Sequence, residues 1–308
     1  MNIRKSSRII LEECMGLRKN ESCLIITDSK LLPIGNSLYE NSLQIAGKSK
    51  LILTNIPSAH GNEPPMRIAD EMLKYDVILM PTTKSLSHTR ARKNATGKGA
   101  RIASMPGITD SMMKRALDVN FRKISECNNF LISRLKNCDK IFLRTKKGTD
   151  VSFSLAGRNW ISDDGIYDSI GAFGNLPAGE VFIAPLEGMA NGVLIADASV
   201  GGFGMADTDI RIDIKDGFLA EIKGGKMSGK FAKFLKNKSY RNVAELGIGT
   251  NYKAKITGNV LEDEKVKGTC HVAFGNNRHF GGMVDVPFHV DFVIKEPEFY
   301  DADNKKII

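Results

Sequence analysis

Residues Gly268–Val293 read GTCHVAFGNNRHFGGMVDVPFHVDFV. The apolar runs around His271 and His289 predict two β-strands, and the glycine-rich stretch Gly275–Gly282 predicts a loop between them. Side chains on a strand alternate faces, so His289 and Asp291 project to the same side. If the two strands pair antiparallel, His271 lies beside that face. A lone histidine in a strand is ordinarily a hydrogen-bonded core residue. His-x-Asp with a second histidine on the neighbouring strand instead offers the donors a divalent cation takes.

Outward from this stretch the second half of the chain keeps the same texture. IFLRT, VSFSL, VFIAP, GVLIADASV, DIRIDIK and GFLAEIK read as strands. Ile210, Ile212 and Ile214 alternate with charged residues before Asp216-Gly217, which marks a hairpin. A helix is expected over Phe231–Lys236 and a second over Asn242–Leu246. The first half differs. Helical patterns at 3–17, 31–46, 65–74, 109–117 and 121–135 interleave with apolar runs at 23–27, 51–57, 76–81 and 101–107, which predicts a parallel sheet covered by helices. The fold class is thus an α/β N-terminal domain with a parallel sheet (1–137), followed by a β-rich α+β C-terminal metal-binding domain (138–308).

The 308 residues are 42% apolar and 26% charged, ordinary for a globular protein, and no apolar run is long enough to span a membrane. No signal peptide is read. Five scattered cysteines with no CxxC pair argue for reduced thiols in a cytoplasmic setting. The net charge of +9 permits an acidic partner. The basic stretch Arg90–Arg101 has no interleaved aromatics for base stacking, so it reads as a solvated helix face and not as a nucleic-acid site. Gly224–Lys230 matches GxxxxGK, but Phe231 stands where a phosphate loop needs Ser or Thr, and no GxGxxG occurs in the first half. Gly201–Gly204 reads as a turn, His60 as an exposed loop residue, and His88 as a helix cap or cleft residue.

Two further carboxylates stand in apolar settings. Glu180 begins a strand in NLPAGEVFIAP, and Glu245 lies in NVAELGIGTN. A glutamate so placed needs a partner, because burying an unpaired charge is costly. A cation shared with the histidines would satisfy both. Glu187, in APLEGMANG, is a candidate to support them from behind.

As a set, NLPAGEVFIAPLEGMANG, AELGIGTN, GTCHVAFGNN and HVDFV resemble the aminopeptidase T and aminopeptidase S family of metallopeptidases, over roughly 174–293. The resemblance implies that Glu180, Glu245, His271, His289 and Asp291 are metal ligands for two divalent ions (zinc, cobalt or manganese). It implies a homodimeric hydrolase that removes N-terminal residues from short peptides, with Glu245 bridging the metals. Where the family carries a tyrosine, this chain has Arg278, expected to contact substrate. A related branch resembles this plan but opens a dihydroxypyridine ring with one iron. There His271, His289 and Asp291 alone would be the ligands. A non-catalytic metal-stabilised binding protein is the third expectation.

Overall fold

The computed structural model describes residues 3–308. The chain is mixed α/β, with one parallel sheet and two antiparallel sheets. By compactness it divides into two units: Met1–Lys123 with Asp163–Ala178, and Ile124–Ser162 with Gly179–Ile308. Among the described residues no helix is long and apolar enough to cross a membrane.

In the first unit, Ser22–Asp28, Lys48–Thr54, Val77–Met80, Arg101–Ser104 and Phe173–Asn175 form the parallel sheet. The strand that begins at Ser22 lies between those of Lys48 and Val77. Cys23–Asp28 and Val77–Met80 are buried throughout, the continuous apolar signature of strands covered on both faces. Asp28, at the strand end where a nucleotide would bind in such a sheet, is committed elsewhere. Its carboxylate accepts from the Thr83 hydroxyl at 2.9 Å and from the Thr83 and Lys30 amides. The fifth strand, Phe173–Asn175, comes from a segment that a single cut at residue 137 assigns to the second half. Three residues, one of them apolar, give no strand signal of their own.

The second unit stacks two sheets. One orders Phe218–Lys223, Ile210–Lys215, Asn191–Ala196, Asp150–Ser154, Lys140–Arg144 and Glu298–Tyr300. The other orders Gly204–Met205, Ser199–Val200, His289–Lys295, Thr269–Gly275, Val243–Gly249, Glu180–Ile183 and Ile161–Asp163. Ile212, Leu194 and Phe153 from the first sheet share a core with Ile183, Leu246, Val272 and Phe292 from the second. The Ile210 hairpin turns at Asp216 and Gly217, both with positive φ (49° and 75°), as a two-residue turn requires.

Two expected helices differ. The first begins earlier, as α-helix Gly225–Ala232, and ends as a 3-10 turn over Lys233–Lys236. Its first turn donates the Lys226 amide to the Asp207 carboxylate at 3.0 Å, so a carboxylate already sits where the GxxxxGK match would need a phosphate. The second, expected at Asn242–Leu246, is instead the strand Val243–Gly249, buried at every position. It lies between two neighbours and is covered on both faces, and a short apolar run of that kind has no period that separates helix from strand.

Candidate metal centre

The site is assembled by strand register. Across the middle strand, Gly249 faces Glu180, Gly247 faces His271, and Glu245 faces Ala273. Across the next pair, Ala273 faces Asp291 and Gly275 faces His289. Opposed residues in antiparallel strands share a face, so Glu180, Glu245, His271, His289 and Asp291 all project to the same side of four adjacent strands. The opposite face carries Val181, Leu246, Val272 and Phe292 into the core. Gly247, Gly249, Ala273 and Gly275 stand between the polar residues and leave room for them.

The donors converge. His271 Nε2 lies 3.2 Å from Glu245 Oε1 and 3.5 Å from Glu180 Oε2. His289 Nε2 lies 3.4 Å from Glu245 Oε2 and 3.3 Å from Asp291 Oδ1. Three overlapping sets each keep their ligand atoms within 4.8 Å of one another: Glu180, Glu245 and His271; Glu245, His289 and Asp291; Glu264, His271 and Asp291. Two residues not singled out in the sequence join them. Lys265, buried, places Nζ against Glu180 Oε1 and 2.9 Å from Glu264 Oε1.

Neighbouring elements hold these side chains in place. Asn128, buried on the helix Phe121–Leu135, donates to Glu180 O at 2.8 Å and Ser162 Oγ at 2.9 Å. It also accepts from Thr250 Oγ1 at 2.7 Å, which pins the start of the Glu180 strand. His289 Nδ1 lies 2.8 Å from Asn276 O. A carbonyl only accepts, so Nδ1 carries a proton and Nε2 is the nitrogen that faces the site.

The electrostatics favour a cation. Burial lowers His271, but the Glu245 hydrogen bond and the nearby carboxylates outweigh it and raise the ring to about 9. Burial lowers His289 as well, but Asp291 and Glu245 outweigh it and its value is raised. The His289 side chain remains 30% exposed. Glu245 is held below its ordinary range: burial raises it, and the two imidazoles more than offset that. Burial pushes Glu180 up to about 8 against the pull of Lys265. Glu180 Oε2 and His271 Nδ1 are buried with no hydrogen-bond partner. Converging carboxylates and imidazoles, with Glu180 Oε2 left without a hydrogen-bond partner beside them, fit a divalent ion at their centre.

Other sequence candidates stand apart. Arg278 is exposed, and among the described residues no ion pair joins it to the site carboxylates. His88 is exposed in the turn before the helix Arg90–Gly97, while His60 Nδ1 accepts from the Ser85 amide. The basic stretch is not wholly solvated. Arg92 lies 4.1 Å over the Phe173 ring, and Arg101 is buried against Glu21. A cavity of about 260 Å³ in the second unit is lined by Leu135, Trp160 and Ile183. Ile183 points to the face opposite Glu180, so that cavity is separate from the metal-type cluster.

A family model described as NicX, 2,5-dihydroxypyridine 5,6-dioxygenase, matches residues 45–308. The 2,5-dihydroxypyridine 5,6-dioxygenase of Pseudomonas putida KT2440 is 24% identical over 284 residues, covering 82% of this chain and 78% of that protein. The solved 2,5-dihydroxypyridine dioxygenase from Pseudomonas putida KT2440 superposes with a TM-score of 0.83 at 19% identity, over 99% of this chain and 95% of that one. Wild-type AmpT from Thermus thermophilus superposes with a TM-score of 0.75 at 16% identity, over 99% and 96%. These findings correct the aminopeptidase reading. AmpT is similar in fold alone, while the sequence family is that of 2,5-dihydroxypyridine 5,6-dioxygenase. Peptide hydrolysis falls with that reading. The physical reason is that the polar motifs sit on a sheet both folds share, so they identify the scaffold before the chemistry.

Proposed function

The chain belongs to the 2,5-dihydroxypyridine 5,6-dioxygenase family, and on that premise we propose that it is a non-haem iron dioxygenase opening a dihydroxypyridine-type ring. His271, His289 and Asp291 would hold one Fe(II), the two-histidine, one-carboxylate set that leaves positions open for other ligands. The observation that carries this is the placement of those three donors on one face of two paired strands inside the segment the family model matches. Ferrous iron bound there supplies the one-electron chemistry by which dioxygen reacts with an electron-rich ring.

The chain's own residues supply the setting. Asn276 O keeps the Nδ1 proton of His289 on the outer side, which leaves Nε2 for the ion. Glu245 reaches both imidazoles and restrains each against rotation. Lys265 occupies Glu180 Oε1 and balances part of the carboxylate charge. Glu180, Glu245, His271 and Asp291 are buried, so bulk water is largely displaced from the face they share. All five cysteines are free, in keeping with the reducing cytoplasm we propose as the setting.

The test is elemental analysis of the purified chain together with oxygen uptake on 2,5-dihydroxypyridine. About one iron per chain and substrate-dependent oxygen uptake are expected, both lost in His271→Ala. A chain that takes up iron yet consumes no oxygen with this ring would refute the assignment.

A further inference from the structure

We propose that Glu187 and Asn277 are positioning residues for His289, acting through the loop that joins the two histidine strands. The inference rests on the metal-site reading above. His289 is the most open member of the cluster, and packing alone does not fix its ring. Both of its contacts on the outer side come from that loop. Asn276 O takes the Nδ1 proton at 2.8 Å, and the Phe280 ring meets the imidazole edge-on at 6.0 Å between centroids.

The loop is itself latched. Glu187 Oε1 accepts from Asn277 Nδ2 and from the Met283 amide, both at 2.8 Å. Asn277 Oδ1 accepts from the Val284 amide at 2.9 Å, and the Asn277 amide returns to Val284 O at 3.0 Å. Arg158 Nη2 reaches Glu187 Oε2 at 2.5 Å, and Nη1 donates to Gly281 O. Asn277 is fully buried, and Gly282 packs directly on its amide: a Cβ there would fall 1.9 Å from Asn277 Cγ. Burial raises the Glu187 carboxyl, but the Met283 and Asn277 hydrogen bonds and the Arg158 charge carry it below its ordinary range, as expected of an ionised anchor. The latch is one peptide unit from the carbonyl that selects the His289 tautomer. Groups that orient a ligating histidine through its second nitrogen typically change metal affinity about 10- to 100-fold when removed.

The experiment titrates cobalt(II) into wild type, Glu187→Gln and Asn277→Ser, following the visible absorption of the bound ion. Amide exchange over 276–288 is measured on the metal-free proteins. Both variants should bind cobalt at least 10-fold more weakly, with faster exchange across the loop, while far-ultraviolet circular dichroism stays native. If Glu187→Gln fails to fold, Asn277→Ser decides, since it removes the two Asn277 side-chain bonds and keeps the Arg158–Glu187 pair. Wild-type cobalt affinity in a folded Asn277→Ser with a loosened loop would overturn the positioning role. A wild-type chain that binds no cobalt would instead overturn the metal reading beneath it.

Discussion

A Cβ built on Gly247 would lie 2.1 Å from His271 Cε1 and 2.2 Å from its Nε2. The imidazole therefore lies over a residue that has no side chain, and the missing methyl shapes the site as much as the donors do. Gly247→Ala should displace the ring and weaken divalent-metal binding about 10-fold or more, in the range of other losses of ligand orientation. Calorimetric titration of the metal-free variant measures this, and an unchanged affinity would remove His271 from the ligand set. At this scale the sequence was partly transparent. His289 and Asp291 announce themselves by their spacing of two on a strand, and Glu180 and Glu245 by charge in apolar surroundings. Glu264 and Lys265 do not. In LEDEKV they have the composition of a solvated charge run, yet Glu262, Asp263 and Lys265 are all buried. Glu262 and Asp263 are consumed by the amides of Lys255, Thr257 and Gly258, a local tertiary arrangement with no periodic signature.

Elements place these residues, and two of the placements can be tested. Asn128 makes three hydrogen bonds from a helix, to Ser162 and the Glu180 backbone on two strands and to the Thr250 hydroxyl, with no exposure to water. Asn128→Ala leaves those partners buried and unpaired, and should destabilise the second unit by about 2–4 kcal/mol in urea unfolding. A loss under about 0.5 kcal/mol would mean that water satisfies the freed groups and the helix does not pin the strand. In the first unit, Arg101 grips Glu21 with two bonds, Nη1 to Oε1 at 2.8 Å and Nη2 to Oε2 at 2.7 Å. The Arg101 hydrogen bonds hold the Glu21 carboxyl below its ordinary value. A depressed carboxylate stabilises the fold above its unfolded value, and the stabilisation is lost as pH falls through the folded value. The stability gap between wild type and Glu21→Gln should therefore be widest near neutrality and should narrow as pH falls below about 4.5. Parallel urea curves at several pH values check this, and a gap independent of pH would mean the pair contributes no ionic stabilisation. The elements themselves were legible where periodicity is strong, as in the Ile210 hairpin and the helix over 121–135. They were not legible in Val243–Gly249, where burial on both faces erases the alternation that marks a strand.

At the scale of the molecule, the change from strand–helix alternation to short strands reports two architectures. The return of 163–178 to the first unit is set by tertiary pairing of Phe173–Asn175 with Arg101–Ser104, which no local pattern encodes. The chemistry was the least legible level. One architecture serves a dioxygenase relative and AmpT, a fold neighbour at 16% identity, so the fold alone does not decide the reaction. Metal binding should nonetheless be visible globally. The chain's one tryptophan, Trp160, packs against the core of the second unit, the unit that contains the cluster. Its fluorescence therefore reports the unfolding of the structure a bound ion would hold together. An ion present at about 100 times its Kd, and bound by the native state alone, adds about 2.7 kcal/mol. The fluorescence-detected urea midpoint should rise accordingly from chelator-treated to iron- or cobalt-loaded protein under anaerobic conditions. His271→Ala should abolish the rise, since it removes one of the three proposed iron ligands. Coincident midpoints with and without metal in wild type would show that the carboxylates and imidazoles satisfy one another through their own protons, and that the cluster is a buried polar network without a resident ion.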